Sequence, residues 1–121
     1  MAPQFRIYRF AAGLLIALPA VFLRGASAQV KIGPTDSAVI ARGSIVYKDR
    51  CAICHFSESQ AKKIGPGLAG IYKRGKFMDG RKLDDAAMEK WILNGGKNMP
   101  PFKSVLNTIQ VRDLTAYLKT L

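Results

Sequence analysis

The stretch Cys51-Ala52-Ile53-Cys54-His55 decides what the rest of this chain can be. It has the C-x-x-C-H spacing that is used for covalent attachment of a c-type haem. Two thiols at this spacing can each add to one vinyl group of a single haem, and the histidine that follows can then bind the iron with its imidazole. The chain of 121 residues contains only these 2 Cys and 1 His, so few other uses of these side chains remain.

Three other uses of the motif fit the sequence less well. A structural zinc site normally needs four nitrogen or sulfur ligands, and the motif offers three. A thioredoxin-like redox pair lies between a strand and a helix, whereas residues 45–50, Ile-Val-Tyr-Lys-Asp-Arg, are typical of the end of a helix. A disulfide between Cys51 and Cys54 would close a very short loop and would stabilise the fold little.

The N-terminal segment has the parts of a secretory signal peptide. Arg6 and Arg9 precede an apolar run over residues 10–23, and a small-x-small cleavage pattern, Ala-Ser-Ala, ends at Ala28. The apolar run is shorter than the roughly 20 residues that a membrane-spanning helix needs. The pattern therefore predicts export through the general secretion route.

Cleavage after Ala28 would leave a signal peptide over residues 1–28 and one domain over residues 29–121. For such a chain we expect a periplasmic location. Membrane attachment would follow only if the N-terminal segment is retained as an anchor. Arg24, between the apolar run and the cleavage pattern, keeps that alternative open.

The chain is strongly basic, with 19 Lys and Arg against 8 Asp and Glu and a formal net charge of +11. The excess persists when the three arginines of the N-terminal segment are removed. Nucleic acid is one partner for such a charge, but an exported chain rarely meets it and the sequence has no nucleic-acid-binding motif. An acidic protein surface or an anionic membrane fits better.

The remaining sequence predicts helices and no convincing strand, which is an all-α fold class. Each helix has a polar capping residue or a glycine stop at its ends. The first predicted helix runs from a cap at Thr35, Asp36 or Ser37 to Arg50, and the second makes two turns from Leu68 to Arg74 and stops at Gly75. The third runs from Asp84 or Asp85 to Gly95-Gly96. The fourth runs from a variant capping box of Asn107 and Gln110 to the C-terminus.

The second axial ligand of the iron cannot be a histidine, because the chain has only one. The candidates are Met78, Met88, Met99, a lysine or no ligand. Met88 lies on the apolar face of the third helix, where packing in the core is expected, and Met78 lies in an unconstrained basic loop. Met99 precedes Pro100-Pro101, and prolines restrict both their own backbone and that of the preceding residue. The stiffness of this loop, taken alone, therefore favours Met99 as the second axial ligand.

Together these features resemble the class I c-type cytochromes over residues 40–121. The resemblance implies a cytochrome c-like fold of three to five short helices wrapped around one covalently bound haem c with its iron. It also implies an electron carrier rather than an enzyme. The matching motifs are Gly43-x-x-x-Tyr47, Cys51 to His55, Ile64-Gly65-Pro66-Gly67-Leu68-Ala69-Gly70, Met99-Pro100-Pro101-Phe102 and Leu114-Thr115-Ala116-Tyr117-Leu118.

The resemblance implies how the haem would be held. Cys51 and Cys54 would form the thioether links, and His55 and Met99 would be the axial iron ligands. The carbonyl of Pro66 would accept a hydrogen bond from the ring nitrogen of His55 that faces away from the iron, which orients the imidazole.

Further residues take weaker roles by the same resemblance. Trp91 would pack at the haem edge, and Arg74 and Asn98 would make polar contacts with the propionates and the distal loop. Gly43 would lie where the first and last helices cross, near Tyr117.

The sequence thus predicts a periplasmic, monomeric electron shuttle that meets redox partner proteins with acidic docking surfaces. Two alternatives stay open: a dedicated cytochrome subunit of a periplasmic complex that oxidises sulfur compounds, alcohols or nitrite, and a haem-based ligand sensor or peroxidase with a labile distal ligand. Basic residues are expected around the haem at Lys62, Lys63, Lys73, Arg74, Lys97 and Lys103.

Overall fold

The structure, a computed structural model, describes Gly33 and residues 35–121. The predicted signal peptide and its cleavage site lie outside these described residues. Within them the chain forms helices joined by loops, with two isolated bridges in place of any β-strand, so the all-α prediction is confirmed. The helices are α1 (Ser37–Arg50), α2 (Ile71–Arg74), α3 (Asp85–Asn94) and α4 (Thr108–Leu118). None of these four is long and apolar enough to cross a bilayer.

The helix ends follow the capping residues of the sequence. Asp36 caps α1 by accepting a hydrogen bond from the Ala38 amide at 2.8 Å, and Asp84 caps α3 through the Ala87 amide at 2.9 Å. Both halves of the Asn107–Gln110 capping box are present at the start of α4. These contacts satisfy amide groups that the first turn of a helix leaves without partners.

Helix α2 is shorter than predicted. The sequence suggested two turns from Leu68, but the helix begins at Ile71 because Gly70 has left-handed backbone angles (φ 65°). The predicted stop at Gly75 is correct, since that residue also has a positive φ of 63°.

Helices α1 and α4 cross at Gly43, as the resemblance implied. A Cβ atom at Gly43 would lie 2.0 Å from the backbone oxygen of Asp113 and 2.8 Å from the Tyr117 Cβ. Only a glycine therefore allows this close approach. The rings of Tyr47 and Tyr117 pack beside the crossing, with their centroids 5.4 Å apart.

One apolar core joins the four helices. Met88 is 4% exposed within it, which confirms that this methionine packs and does not face the site described below. The buried members of the core are Val46, Tyr47, Leu68, Ile71, Leu83, Met88, Ile92, Leu106, Val111, Leu114 and Leu118.

Asp113 is a buried carboxylate at the helix crossing. It accepts a hydrogen bond from the Arg42 Nε at 2.6 Å and another from the Arg112 Nη2 at 3.0 Å. Burial acts to raise the pKa of Asp113, but the hydrogen bonds from the two arginines outweigh it and hold the pKa below its usual value. The ionised carboxylate therefore stabilises the packing of α1 against α4.

Asp113→Asn should lower the free energy of unfolding at about pH 7 by about 1–3 kcal/mol, because it weakens hydrogen bonds to a charged, buried group. The lost contribution is present above the unfolded-state pKa, near 3.9, and disappears as the pH falls through the lower folded-state pKa. Urea unfolding of the two proteins should therefore converge at acid pH. A pH-independent difference, or an equal effect of Asp49→Asn at an exposed carboxylate of α1, would contradict this role.

Candidate haem site

A cavity of about 620 Å³ lies beside the core, a volume typical of a cofactor site. The structure brings to its walls the residues that the resemblance implied for holding the haem. The predicted residues that line it are Cys51, Cys54, His55, Pro66, Arg74, Trp91, Asn98 and Met99.

The C-x-x-C-H motif continues from the end of α1 as a helical turn. The Cys51 amide donates to the Tyr47 carbonyl at 2.8 Å, and the amides of Cys54 and His55 both donate to the Cys51 carbonyl at 3.0 Å. The Tyr47 hydroxyl donates to the carbonyl of His55 at 2.6 Å. This turn points both thiols and the imidazole toward the same cavity.

Cys51 and Cys54 are half-buried and form no disulfide with each other. Burial, together with the neighbouring Cys54, raises the pKa of the Cys51 thiol to about 11. Before a haem is attached, Cys51 would therefore be a protonated thiol at physiological pH.

The imidazole of His55 is fixed from one side by the loop that follows it. Its Nδ1 lies 2.7 Å from the carbonyl oxygen of Pro66. Because a carbonyl oxygen can only accept, Nδ1 carries the proton and donates it. Nε2 is then the nitrogen with a free lone pair, which is the form that binds a metal.

Gly65 is a site residue that the sequence analysis quoted but gave no role. A Cβ atom at this position would lie 2.4 Å from the His55 Cε1, so the ring rests directly on the glycine backbone. The Gly65 amide also donates to the Cys54 carbonyl at 2.8 Å. The Gly-Pro punctuation was the available signal, but only the folded loop shows that the glycine faces the imidazole.

Met99 lies on a loop that is anchored at both ends. Gly95 ends α3 with a φ of 69°, and the Gly96 amide donates to the Met99 carbonyl at 2.9 Å. Beyond the two prolines, the Phe102 amide returns to the Ile92 carbonyl at 3.1 Å. These contacts agree with the stiffness that the prolines predicted, and Met99 is half-buried against the core.

Arg74 supports the loop below His55. Its guanidinium donates to the carbonyl of Gly67 at 3.2 Å and to that of Ala69. Arg74 lines the cavity, and the propionate contact that the resemblance implied for it stays a prediction. Asn98 is exposed where it lines the cavity.

The sequence analysis assumed that the loop between α2 and α3 is unconstrained, and the structure shows that this was wrong. Lys76 and Lys82 pair as an isolated antiparallel bridge, and the Phe77 amide donates to the Arg81 carbonyl at 2.9 Å. Met78 at the tip is 81% exposed and lies at the cavity wall. The loop is constrained by the backbone pairing of Lys76 with Lys82 and by packing of the Phe77 ring on Trp91. The sequence shows neither contact.

Five basic residues line the cavity, and the set differs in part from the one that the sequence indicated. Lys62, Arg74 and Lys97 line it as expected, and Arg50 and Lys76 join them. Among the other predicted residues, Lys63 donates to the Ala52 carbonyl at 2.7 Å and so braces the C-x-x-C-H turn. Lys73 and Lys103 are exposed. Two apolar side chains, Ile53 and Ile64, are 72% and 66% exposed at the cavity.

The donor set of the cavity fits haem c. It combines two thiols, an imidazole with a free Nε2 and a thioether with apolar walls. The walls include Leu68, Ile71, Phe102 and Leu118. Thiols suit vinyl addition, and histidine with methionine is an established pair of axial ligands for haem iron.

Comparisons with known proteins agree with this site. A family model described as cytochrome c oxidase, cbb3-type, subunit III, matches residues 38–118. Cytochrome c from Chlamydomonas reinhardtii is 32% identical over 97 residues, which cover 66% of this chain and 87% of the relative. Cytochrome c2 iso-1 from Magnetospirillum molischianum is 27% identical over 90 residues, 60% of this chain and 90% of the relative. Cytochrome c from Euglena viridis is 27% identical over 96 residues, which cover 66% of this chain and 94% of the relative.

The fold, the site and these matches define an electron-carrying haem protein. The chain belongs to the matched family and is a class I c-type cytochrome. Members of this group bind haem c covalently and transfer electrons to redox partners, and Cys51 and Cys54 fit their attachment motif.

Gly65→Ala should lower the free energy of unfolding of the haem-bearing protein by about 1–3 kcal/mol, since a methyl group has no room beside the His55 ring. It should also disturb the absorption spectrum, because the imidazole must move away from Pro66. Gln60→Ala, at an exposed position of the same loop, is the control. Equal stability and spectra for the two variants would mean that Gly65 does not support the ring.

Proposed function

We propose that this protein is a periplasmic carrier of single electrons, with haem c linked through Cys51 and Cys54 and its iron bound by His55 and Met99. One observation carries the proposal. The two thiols, the imidazole with its free Nε2 and a methionine on a proline-stiffened loop all line one cavity. When bound, haem c supplies an iron atom that accepts and releases one electron.

The residues of the chain set the conditions for this exchange. The Nδ1–Pro66 hydrogen bond at 2.7 Å holds the imidazole in one orientation and raises its basicity toward a metal. As an iron ligand, the thioether of Met99 would favour the reduced state and raise the potential. Leu68, Ile71, Phe102 and Leu118 would give the haem apolar contacts on the core side of the cavity.

A filled pair of axial positions argues against the sensor or peroxidase alternative, which requires an open or labile distal position. Met99 supports a filled position because its loop is anchored by contacts to Gly96 and beyond Pro101 to α3. In the absorption spectrum of the ferric protein, a band from methionine bound to iron would support the electron carrier. Absence of that band would favour the alternative.

The partner surface is proposed to be acidic. Five basic side chains line the cavity against one acidic side chain, Asp79, and exposed Ile53 and Ile64 add apolar area at the same place. Charges of opposite sign would steer a partner to this face.

We propose that the protein acts as a monomer, that residues 1–28 form its cleavable export signal, and that membrane attachment would require that segment to be retained.

The second candidate function is a dedicated cytochrome subunit of a larger oxidoreductase complex. The match over residues 38–118 to a family named for an oxidase subunit favours it. Purification from native membranes and periplasm decides between the two. Recovery as a small protein alone supports the shuttle, and stoichiometric recovery with a larger catalytic chain supports the subunit.

Met99→Ala should remove the sixth iron ligand and leave the haem attached, because attachment depends on the cysteines. The reduction potential should fall, and the ferric iron should bind small ligands such as imidazole or cyanide. Potentiometry and ligand titration measure both effects. Met78→Ala is the matched control, since Met78 lies at the same cavity. If Met78→Ala has these effects and Met99→Ala does not, the axial assignment is wrong.

Electron transfer to an acidic redox partner should slow as salt rises, because exposed charges are screened over about 8 Å at physiological ionic strength. Lys62→Glu with Lys97→Glu, both at the cavity, should lower the association rate in stopped-flow measurements. Lys48→Glu with Lys90→Glu, at exposed positions of α1 and α3, should lower it less. An association rate that changes neither with salt nor with the charge reversals at Lys62 and Lys97 would mean that the basic face does not guide docking.

A further inference from the structure

Arg81 makes an unusual set of contacts next to the candidate haem site. Its guanidinium carbon lies 4.6 Å from the centroid of the Trp91 ring and 5.4 Å from that of Phe77. The two rings are themselves 5.8 Å apart and tilted by 42°. A guanidinium over the face of an indole is attracted by the negative face of the ring.

Asp79 holds the guanidinium over the rings. Its carboxylate oxygen Oδ2 accepts a hydrogen bond from the Arg81 Nε at 2.8 Å, and the Arg81 Nη2 lies 2.7 Å from the same oxygen as an ion pair. The backbone amide of Arg81 donates to the same carboxylate at 3.2 Å. The ion pair and the backbone hydrogen bond to one carboxylate hold the guanidinium on the side of the loop that faces the rings.

Trp91 in turn lies against the loop that carries Met99. A Cβ atom at Gly96 would lie 2.4 Å from the Trp91 Cζ2, so the indole touches the glycine backbone. Gly96 exchanges hydrogen bonds with Met99, 2.9 Å from its amide to the Met99 carbonyl and 3.3 Å in the other direction. The indole therefore supports the turn that positions the thioether.

We propose that Arg81 is a positioning residue for Met99, and that it acts by clamping the Trp91 indole under the Gly96–Met99 turn. This rests on the proposed function, in which Met99 binds the iron. Without the clamp the indole is freer to move, the turn loses its support, and the methionine leaves the iron more often. The loss of Arg81 does not change the chemistry of the Met99 thioether, only how often it is in place.

The test compares Arg81→Gln with Lys82→Gln in the haem-bearing protein. Both remove one positive charge from the same loop, so both shift the potential through charge, and only the first removes the cation from the rings. Imidazole can bind ferric iron only while the methionine is off, so its apparent affinity reports the open fraction. We expect Arg81→Gln to raise that affinity about two- to five-fold, the range for an exposed cation–π contact. Lys82→Gln should match the wild type.

A second measurement places Trp91 between the two residues. In a Trp91→Leu background, Arg81→Gln should have no further effect on imidazole affinity, because the surface on which it acts is gone. The absorption band of methionine bound to ferric iron should weaken at a lower temperature in Arg81→Gln, while far-ultraviolet circular dichroism shows the helices unfolding as in the wild type.

The outcomes separate this inference from the proposed function. If Met99→Ala leaves the methionine band intact, the axial assignment fails and the role of Arg81 fails with it. If Met99→Ala abolishes the band but Arg81→Gln leaves imidazole affinity unchanged, or Lys82→Gln raises it as much, only the positioning role is overturned. An undiminished effect of Arg81→Gln in the Trp91→Leu background would also overturn it.

Discussion

The hydrogen bond from the His55 Nδ1 to the Pro66 carbonyl, 2.7 Å long, joins the two segments on which the site depends. On one side is the turn at the end of α1, which carries both cysteines. On the other is the loop of Gly65 and Pro66, whose backbone lies against the imidazole. The bond assigns the proton to Nδ1 and leaves Nε2 for a metal. The rest of the fold serves this arrangement, since the crossing at Gly43 fixes α1 and Arg74 braces the loop.

The distal side relies on a different kind of constraint. Met99 is held by backbone pairing with Gly96, by the prolines that follow it and by the return of Phe102 to α3. These are local contacts of a loop, and the Trp91 indole is their link to the helix and to the charged Arg81–Asp79 pair. A loop of this kind can give way before the helices unfold. If Met99 binds the iron as proposed, the strength of that bond would depend on the loop and its support rather than on the whole core.

Much of this was readable in the sequence, because it depends on local chemistry. Asp36, Asp84 and Asn107 mark the helix starts by capping, the spacing of Cys51 and Cys54 indicates haem attachment, and the proline pair marks Met99. The support of His55 by Gly65 and the stack of Arg81 on Trp91 were not predicted, since Gly65 and Arg81 lie in loops, where no periodicity shows which residue each will contact. Helix α2 was predicted too long because a glycine can adopt either helical or left-handed angles, and the sequence does not show that Gly70 is left-handed. The loop around Met78 was judged unconstrained because a bridge between two lysines leaves no mark in composition.

Covalent attachment of the haem through Cys51 and Cys54 is the central claim, and mass spectrometry after denaturing extraction in acidified organic solvent tests it most directly. We expect the mature wild-type polypeptide to keep the mass of one haem, with the added mass on the peptide that contains residues 51–55. Cys51→Ala or Cys54→Ala should leave a single link, and the double variant should yield a polypeptide without haem. Haem that extracts freely from the mature wild-type protein would contradict the claim.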